Sequence, residues 1–163
     1  MSERLIHKLM KYTRIFLLAI FSCSLSFCSS IKDGKSSIKQ GVFGRVLWMQ
    51  GNFMPSPDRP QHNGGKPALR TIYIYAQTKL SATEGESPLF SKINNDLVAQ
   101  LKTNKTGYFQ CKLPPGKYSI FTLEEDGKFF ANLFDGEGNI TPFEVKEGEV
   151  TRYDISINYK AAF

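Results

Sequence analysis

From residue 41 onward, apolar and polar side chains alternate in short runs, broken by glycine, proline and asparagine. Alternation with period two puts every second side chain on one face of a strand. The clearest run is 69–76 (LRTIYIYA), where Ile72 and Ile74 alternate with Tyr73 and Tyr75, all strand-favouring types. Residues 108–113 (YFQCKL) set Phe109, Cys111 and Leu113 on one face. Asn104-Lys105-Thr106-Gly107 turns before that run and Pro114-Pro115-Gly116 turns after it. Residues 117–124 (KYSIFTLE) return as a strand, Glu125-Asp126-Gly127 turns, and 128–134 (KFFANLF) forms the next strand. Strands are also expected over 42–49 (VFGRVLWM), 97–103 (LVAQLKT), 143–145 and 150–159. In the last of these Thr151, Tyr153, Ile155, Ile157 and Tyr159 share one face.

Two stretches resist a strand reading. Residues 51–67 hold four prolines and three glycines and predict a loop. Residues 78–95 are mixed and polar, with Gly85 and Pro88, and leave room for a short helical turn over 87–95. Many short strands with regular turns predict an all-β sandwich. Its core is expected to join Ile72, Ile74, Phe109, Leu113, Tyr118, Ile120, Ile155 and Ile157 between two sheets.

The first residues follow a different pattern. Arg4, Lys8, Lys11 and Arg14 precede the apolar run 15–21, and Cys23 and Cys28 follow it. A basic segment, a short apolar segment and a small residue before a cleavage point read as an export signal. The run is shorter than the about 20 apolar residues that span a bilayer. A cysteine ending such a signal resembles a bacterial lipoprotein, in which the cysteine becomes the lipidated first residue. Cys23 follows the small Ser22, whereas bulky Phe27 precedes Cys28, so Cys23 is the favoured site and Cys28 the alternative. The chain thus divides into a signal over 1–22, a polar flexible tether over 23–40, and a domain over 41–163. The expected location is the bacterial cell envelope, with the membrane engaged through the N-terminal lipid.

Composition narrows the function classes. The formal charge of +6 falls once the signal is removed, because 17 basic residues then face 14 acidic ones, or +3. No concentrated basic run remains, so nucleic acid is not an expected partner. Cys111 is the one cysteine inside the domain, which excludes an internal disulfide framework and marks a small core residue. His62 is the one histidine beyond the signal, and a zinc site takes three or four ligands. No metal or cofactor is expected. The run Asp135-Gly136-Glu137-Gly138-Asn139 places oxygen ligands at alternate positions, but Ile140 and Lys146 stand where a calcium loop wants glycine and glutamate. A glycine-rich turn explains it as well.

Aromatic residues make up 13% of the chain, more than a small sandwich core absorbs. Trp48, Tyr73, Tyr75, Phe121, Phe129, Phe130 and Phe134 cannot all face inward if strands alternate. Either an aromatic strip binds a glycan, a peptide or a protein, or a second core lies under the segments 51–67 and 79–95. The candidate binding residues are Trp48, Tyr73 and Tyr75, with Asn52, His62 and Asn63 supplying polar contacts.

Three motifs in order carry a family resemblance. Gly41-Val42-Phe43-Gly44-Arg45-Val46, Thr103-Asn104-Lys105-Thr106-Gly107-Tyr108-Phe109 and Leu113-Pro114-Pro115-Gly116-Lys117-Tyr118 resemble the carboxypeptidase regulatory-like domain, of the transthyretin-like or Cna B type. The resemblance covers about residues 41–125. It implies a Greek-key sandwich of approximately seven strands and a non-enzymatic binding or structural module on an exported protein. A hydrolytic transthyretin-like branch ends in Tyr-Arg-Gly-Ser, where this chain ends Tyr159-Lys160-Ala161-Ala162-Phe163 and lacks that branch's histidines. The alternatives are such a small hydrolase, or an accessory subunit of a larger envelope enzyme or transporter. Fold likeness alone assigns none of these activities.

Overall fold

The computed structural model describes residues 36–54 and 64–163. The expected signal with Cys23 and Cys28 lies outside them, as do His62 and Asn63. No helix among the described residues is long and apolar enough to cross a membrane.

Strand β1 (Gly41–Asn52) is the hub of the smaller sheet. Its first half lies between antiparallel β7 (Tyr108–Cys111) and parallel β11 (Val150–Arg152). Its second half lies between antiparallel β2 (Lys66–Pro67) and parallel β12 (Ile155–Ala162). Val42 and Val46 anchor β1 with fully buried side chains. Gly44 sits between them because the backbone of Tyr153 crosses there. A Cβ on Gly44 would lie 1.8 Å from the Tyr153 carbonyl oxygen.

The larger sheet runs β4 (Thr83–Glu86), β5 (Leu89–Ile93), β9 (Phe129–Phe130), β8 (Gly116–Leu123), β3 (Thr71–Ala76), β6 (Leu97–Lys102). Strand β10 (Pro142–Val145) pairs with the start of β8. The two sheets share one core. All eight residues expected there are buried, together with Val42, Val46, Leu101, Cys111, Phe130, Phe143 and Val145. The fold is an all-β sandwich with sheets of five and seven strands among the described residues.

Several boundaries differ from the sequence expectation, each for a local reason. The 78–95 segment forms a 3-10 turn (Leu80–Ala82) and the β4–β5 hairpin, with no helix over 87–95. Burial of Phe90 and Ile93 decides this, since tertiary packing overrides weak local preference. The final run breaks at Tyr153 and Asp154. There the Tyr153 N–H donates to the Phe43 carbonyl (2.8 Å), and Asp154 Oδ1 accepts the Arg45 N–H (2.9 Å). The 128–134 run keeps only Phe129–Phe130 as strand. The expected loop over 51–67 is shorter at both ends, because β1 runs to Asn52 and β2 begins at Lys66. The last tether residues also lie on the domain. Gln110 Nε2 donates to Ser37 Oγ (3.0 Å), and Gln40 Nε2 donates to the Leu113 carbonyl (2.9 Å).

The outer face of the larger sheet carries a second apolar cluster of Tyr75, Phe90, Ile93, Phe121, Ala131 and Ile140. Tyr73 and Phe129 border it half-buried. Phe90 and Ile93 of β5 extend this face toward the sheet edge, and Ala131 and Ile140 from residues 131–140 pack over it. The Ile140 N–H donates to the Thr78 carbonyl (2.9 Å), which ties 131–140 to the start of the 78–95 segment.

The turn before β7 is closed by one side chain. Asn104 Oδ1 accepts from the Thr106 N–H (2.9 Å), the Thr106 hydroxyl (2.7 Å) and the Tyr108 N–H (2.9 Å). Gly107 takes φ +73° there, a conformation glycine adopts without steric cost.

Candidate functional site

Just past the end of β8, a polar plug borders the core. It begins with phase along β8. Ile120, Thr122 and Glu124 fall on the inward face at period two, so the chain drives a carboxylate into the interior. Glu124 is 5% exposed. A buried carboxylate needs a cation or several donors. It has both. Arg70 Nε donates toward both Glu124 oxygens at 3.2 Å, the Thr122 hydroxyl donates at 3.1 Å, and the Tyr159 hydroxyl donates at 3.1 Å. Burial, then the Glu124 charge and its hydrogen bond, push the Tyr159 hydroxyl up to about 12, so it remains a donor at neutral pH.

A bulge builds the aromatic wall. Trp48 pairs with Ile157 and Gln50 with Lys160, so β12 advances three residues while β1 advances two. The extra residue brings Tyr159 and Lys160 to the same tryptophan. The Trp48 and Tyr159 rings meet edge-on with centroids 5.3 Å apart. The Arg70 guanidinium lies 5.3 Å from the Trp48 centroid, and Lys160 Nζ lies 5.7 Å from it. The Trp48 indole N–H donates to Gln50 Oε1 (3.2 Å).

Above this plug is an open depression of about 490 Å³, walled by Trp48, Pro67, Leu69 and the aliphatic stems around them. Lys66, Arg70, Lys105 and Lys160 line it against the single carboxylate of Glu125. Loops at the end of a sandwich are free to carry such a site because the sheets hold them. A second depression of about 220 Å³ lies by Phe43, Arg45, Tyr108 and Arg152. There Asp154 pairs with Arg152 at 2.7 Å and accepts the Arg45 backbone N–H, so its carboxylate is already engaged.

The sequence-based candidates separate in space. Trp48 belongs to the depression. Tyr73 and Tyr75 stand on the other sheet, stacked with centroids 6.5 Å apart at 17°. Tyr75 is 7% exposed and packs edge-on against Phe121 and Phe129, so it is a core residue. The three rings therefore make no common platform. Asn52 is exposed at the end of β1, and its Oδ1 accepts the Met54 N–H (2.8 Å). His62 and Asn63, with the lipidation candidates Cys23 and Cys28, fall outside the described residues. Sequence reasoning missed Arg70, Glu124, Tyr159 and Lys160. The signal for Glu124 was present, since it stands in phase with the inward Ile120.

The acidic loop is committed to itself. Asp135 Oδ1 accepts the Glu137 and Asn139 N–H groups (3.0 and 2.8 Å), and Oδ2 accepts the Asn139 side-chain amide (2.7 Å). These bonds, the Asn139 amide foremost, hold the Asp135 carboxyl below the usual carboxylate range. Among the described residues no group of three histidine, cysteine, aspartate or glutamate side chains gathers to hold a metal.

Comparison with protein-family models, with curated proteins and with solved structures returns no match.

Proposed function

We propose that this chain is a lipid-anchored envelope protein whose sandwich, of carboxypeptidase regulatory-like type, is a non-enzymatic binding module. In this reading Cys23, or else Cys28, carries the lipid, and the depression over Trp48 receives the partner. The observation behind the binding role is the three lysines and the Glu124-paired Arg70 set against Glu125 around a tryptophan wall. Tryptophan supplies rigid contact area, and the cations supply charge-assisted donors.

The depression lies along β1 from the point where the chain enters the domain. The chain enters the domain at Gly41, and Trp48 follows seven residues later on the same strand. At strand rise that separates them by about 23 Å.

Two measurements test the reading. Intact-mass spectrometry of the mature chain checks lipidation, and an unmodified N-terminus beyond Cys28 refutes it. The binding role is tested with Cys23→Ser/Cys28→Ser protein, which lacks any lipid. It should bind isolated envelopes saturably, and Lys66→Glu/Lys105→Glu added to it should abolish that binding. Equal binding by the charge-reversed protein refutes a partner site at the depression.

A further inference from the structure

We infer that the ligand of the Trp48 depression is a carboxylated saccharide, with Arg70 as its anchor and Glu124 as the residue that positions Arg70. The inference rests on the binding-module reading above and deepens it.

The first support is the state of Arg70. Its Nε is spent on Glu124, and one Nη1 hydrogen goes to the Leu69 carbonyl (3.0 Å). No described residue accepts from Nη2. A guanidinium has five donors in a fixed plane. Glu124 holds that plane from below, because its own side chain is only 2% exposed while that of Arg70 is 20% exposed. The remaining donors are therefore pre-oriented at the lining of the depression. A planar fork of this kind matches a carboxylate in two-point contact.

Charge supplies the second support. The pair Arg70–Glu124 cancels internally, yet Lys66, Lys105 and Lys160 still outnumber Glu125. The site retains positive charge after its structural ion pair is accounted for, so an anion is the complement.

Third, the wall selects what bears the anion. Trp48, Pro67 and Leu69 offer flat apolar surface beside the donors. A pyranose ring presents an apolar C–H face with hydroxyls and a carboxylate at its rim, which uses both parts of the lining. Inorganic phosphate would leave the tryptophan unused. Lys160 Nζ lies over both the Trp48 and Tyr159 rings, 5.7 and 5.8 Å from their centroids. Lys160 is exposed, so a ligand carboxylate can draw it off the indole and open that face to the sugar. The volume, about 490 Å³, falls within the range of small-ligand sites.

Trp48 is the only tryptophan in the chain, so its fluorescence reports on this site alone. The full-length protein in neutral detergent is titrated with a galacturonic acid trimer, its fully methyl-esterified trimer, a hexaglutamate peptide and inorganic phosphate. The acid trimer should change Trp48 emission saturably. The ester should bind at least about tenfold more weakly, as expected for loss of a charge-assisted contact. Arg70→Lys, which keeps the charge, should weaken the acid trimer and leave the thermal midpoint near wild type. Lys105→Glu, on an exposed turn, should weaken it without unfolding the chain. Glu124→Gln should lower affinity for the acid trimer more than for phosphate, because it frees the guanidinium plane. Equal affinity for acid and ester overturns the inference, as does an unaltered Arg70→Lys. Saturation by hexaglutamate or phosphate alone also overturns it, while leaving the binding-module reading intact. Silence with every probe overturns it too, and envelope binding by the lipid-free protein then decides the binding-module reading separately.

Discussion

Arg70 and Glu124 meet at 3.2 Å with opposite exposures, the carboxylate sealed in the core and the guanidinium opening to the surface. The pair joins neighbouring strands at one end of the larger sheet, from the residue just before β3 to the residue just after β8. It closes the core with charge where an apolar cap would have served.

That arrangement makes the two partners interdependent. Arg70→Met leaves Glu124 buried beside only the Thr122 and Tyr159 hydroxyls, and should cost about 3–5 kcal/mol. Glu124→Leu strands a partly buried guanidinium and should cost a similar amount. The double variant should lose less than the two single losses added, because no unpaired charge remains. Urea denaturation at pH 7 measures all three, and strict additivity would refute the coupling.

Gly44 carries a different constraint. Its hydrogen faces the Tyr153 carbonyl, and a methyl group there would overlap backbone that cannot rotate away. Gly44→Ala should therefore destabilise by about 2–3 kcal/mol or more. Gly136, in the loop after β9, has open space around it and no strained φ. Gly136→Ala should stay within about 0.5 kcal/mol of wild type. Paired urea midpoints test both, and equal effects would mean the strand crossing at Tyr153 is wrong.

The β-strands with strict alternation were legible because burial on one face leaves a period-two trace. Ile72, Ile74, Phe109 and Ile120 all reached the core for that reason. The β4–β5 hairpin left no such trace. Its burial pattern rests on Phe90 and Ile93, three residues apart, with exposed Ser91 and Lys92 between. Tyr73 and Tyr75 were legible as one outward face of β3, but their cover was not. It comes from residues 131–140, distant in sequence, and pairing between distant segments leaves no local signal. The depression was half legible. Trp48 drew notice by its type, whereas Arg70, Tyr159 and Lys160 converge on it through a bulge that no spacing in the sequence announces. Glu124 is the exception, readable from its phase on an otherwise inward row.

The last expectation concerns high pH. Burial pushes the hydroxyl of Tyr153 up to about 12, and that of Tyr159 rises to about 12 under burial and the Glu124 charge. An ordinary tyrosine in the unfolded chain ionises near 10. The folded state therefore favours the neutral phenol. The stability from this preference is fully present below pH 10 and is lost as pH rises from 10 through 12. Unfolding in urea should become easier across that window. Burial also raises the hydroxyls of Tyr75, Tyr108 and Tyr118, so absorbance at 295 nm should show several tyrosines titrating later than free tyrosine. Tyr153→Phe isolates the effect, since it removes the hydroxyl and keeps the ring contact with Phe143 at 5.6 Å. Its urea midpoint should match wild type at pH 7 and fall less than wild type between pH 10 and 12. Tyr159→Phe should behave differently, losing stability already at pH 7 because Glu124 forfeits a buried donor. A Tyr153→Phe protein with the same alkaline loss as wild type would show that its phenol titrates normally in the folded chain.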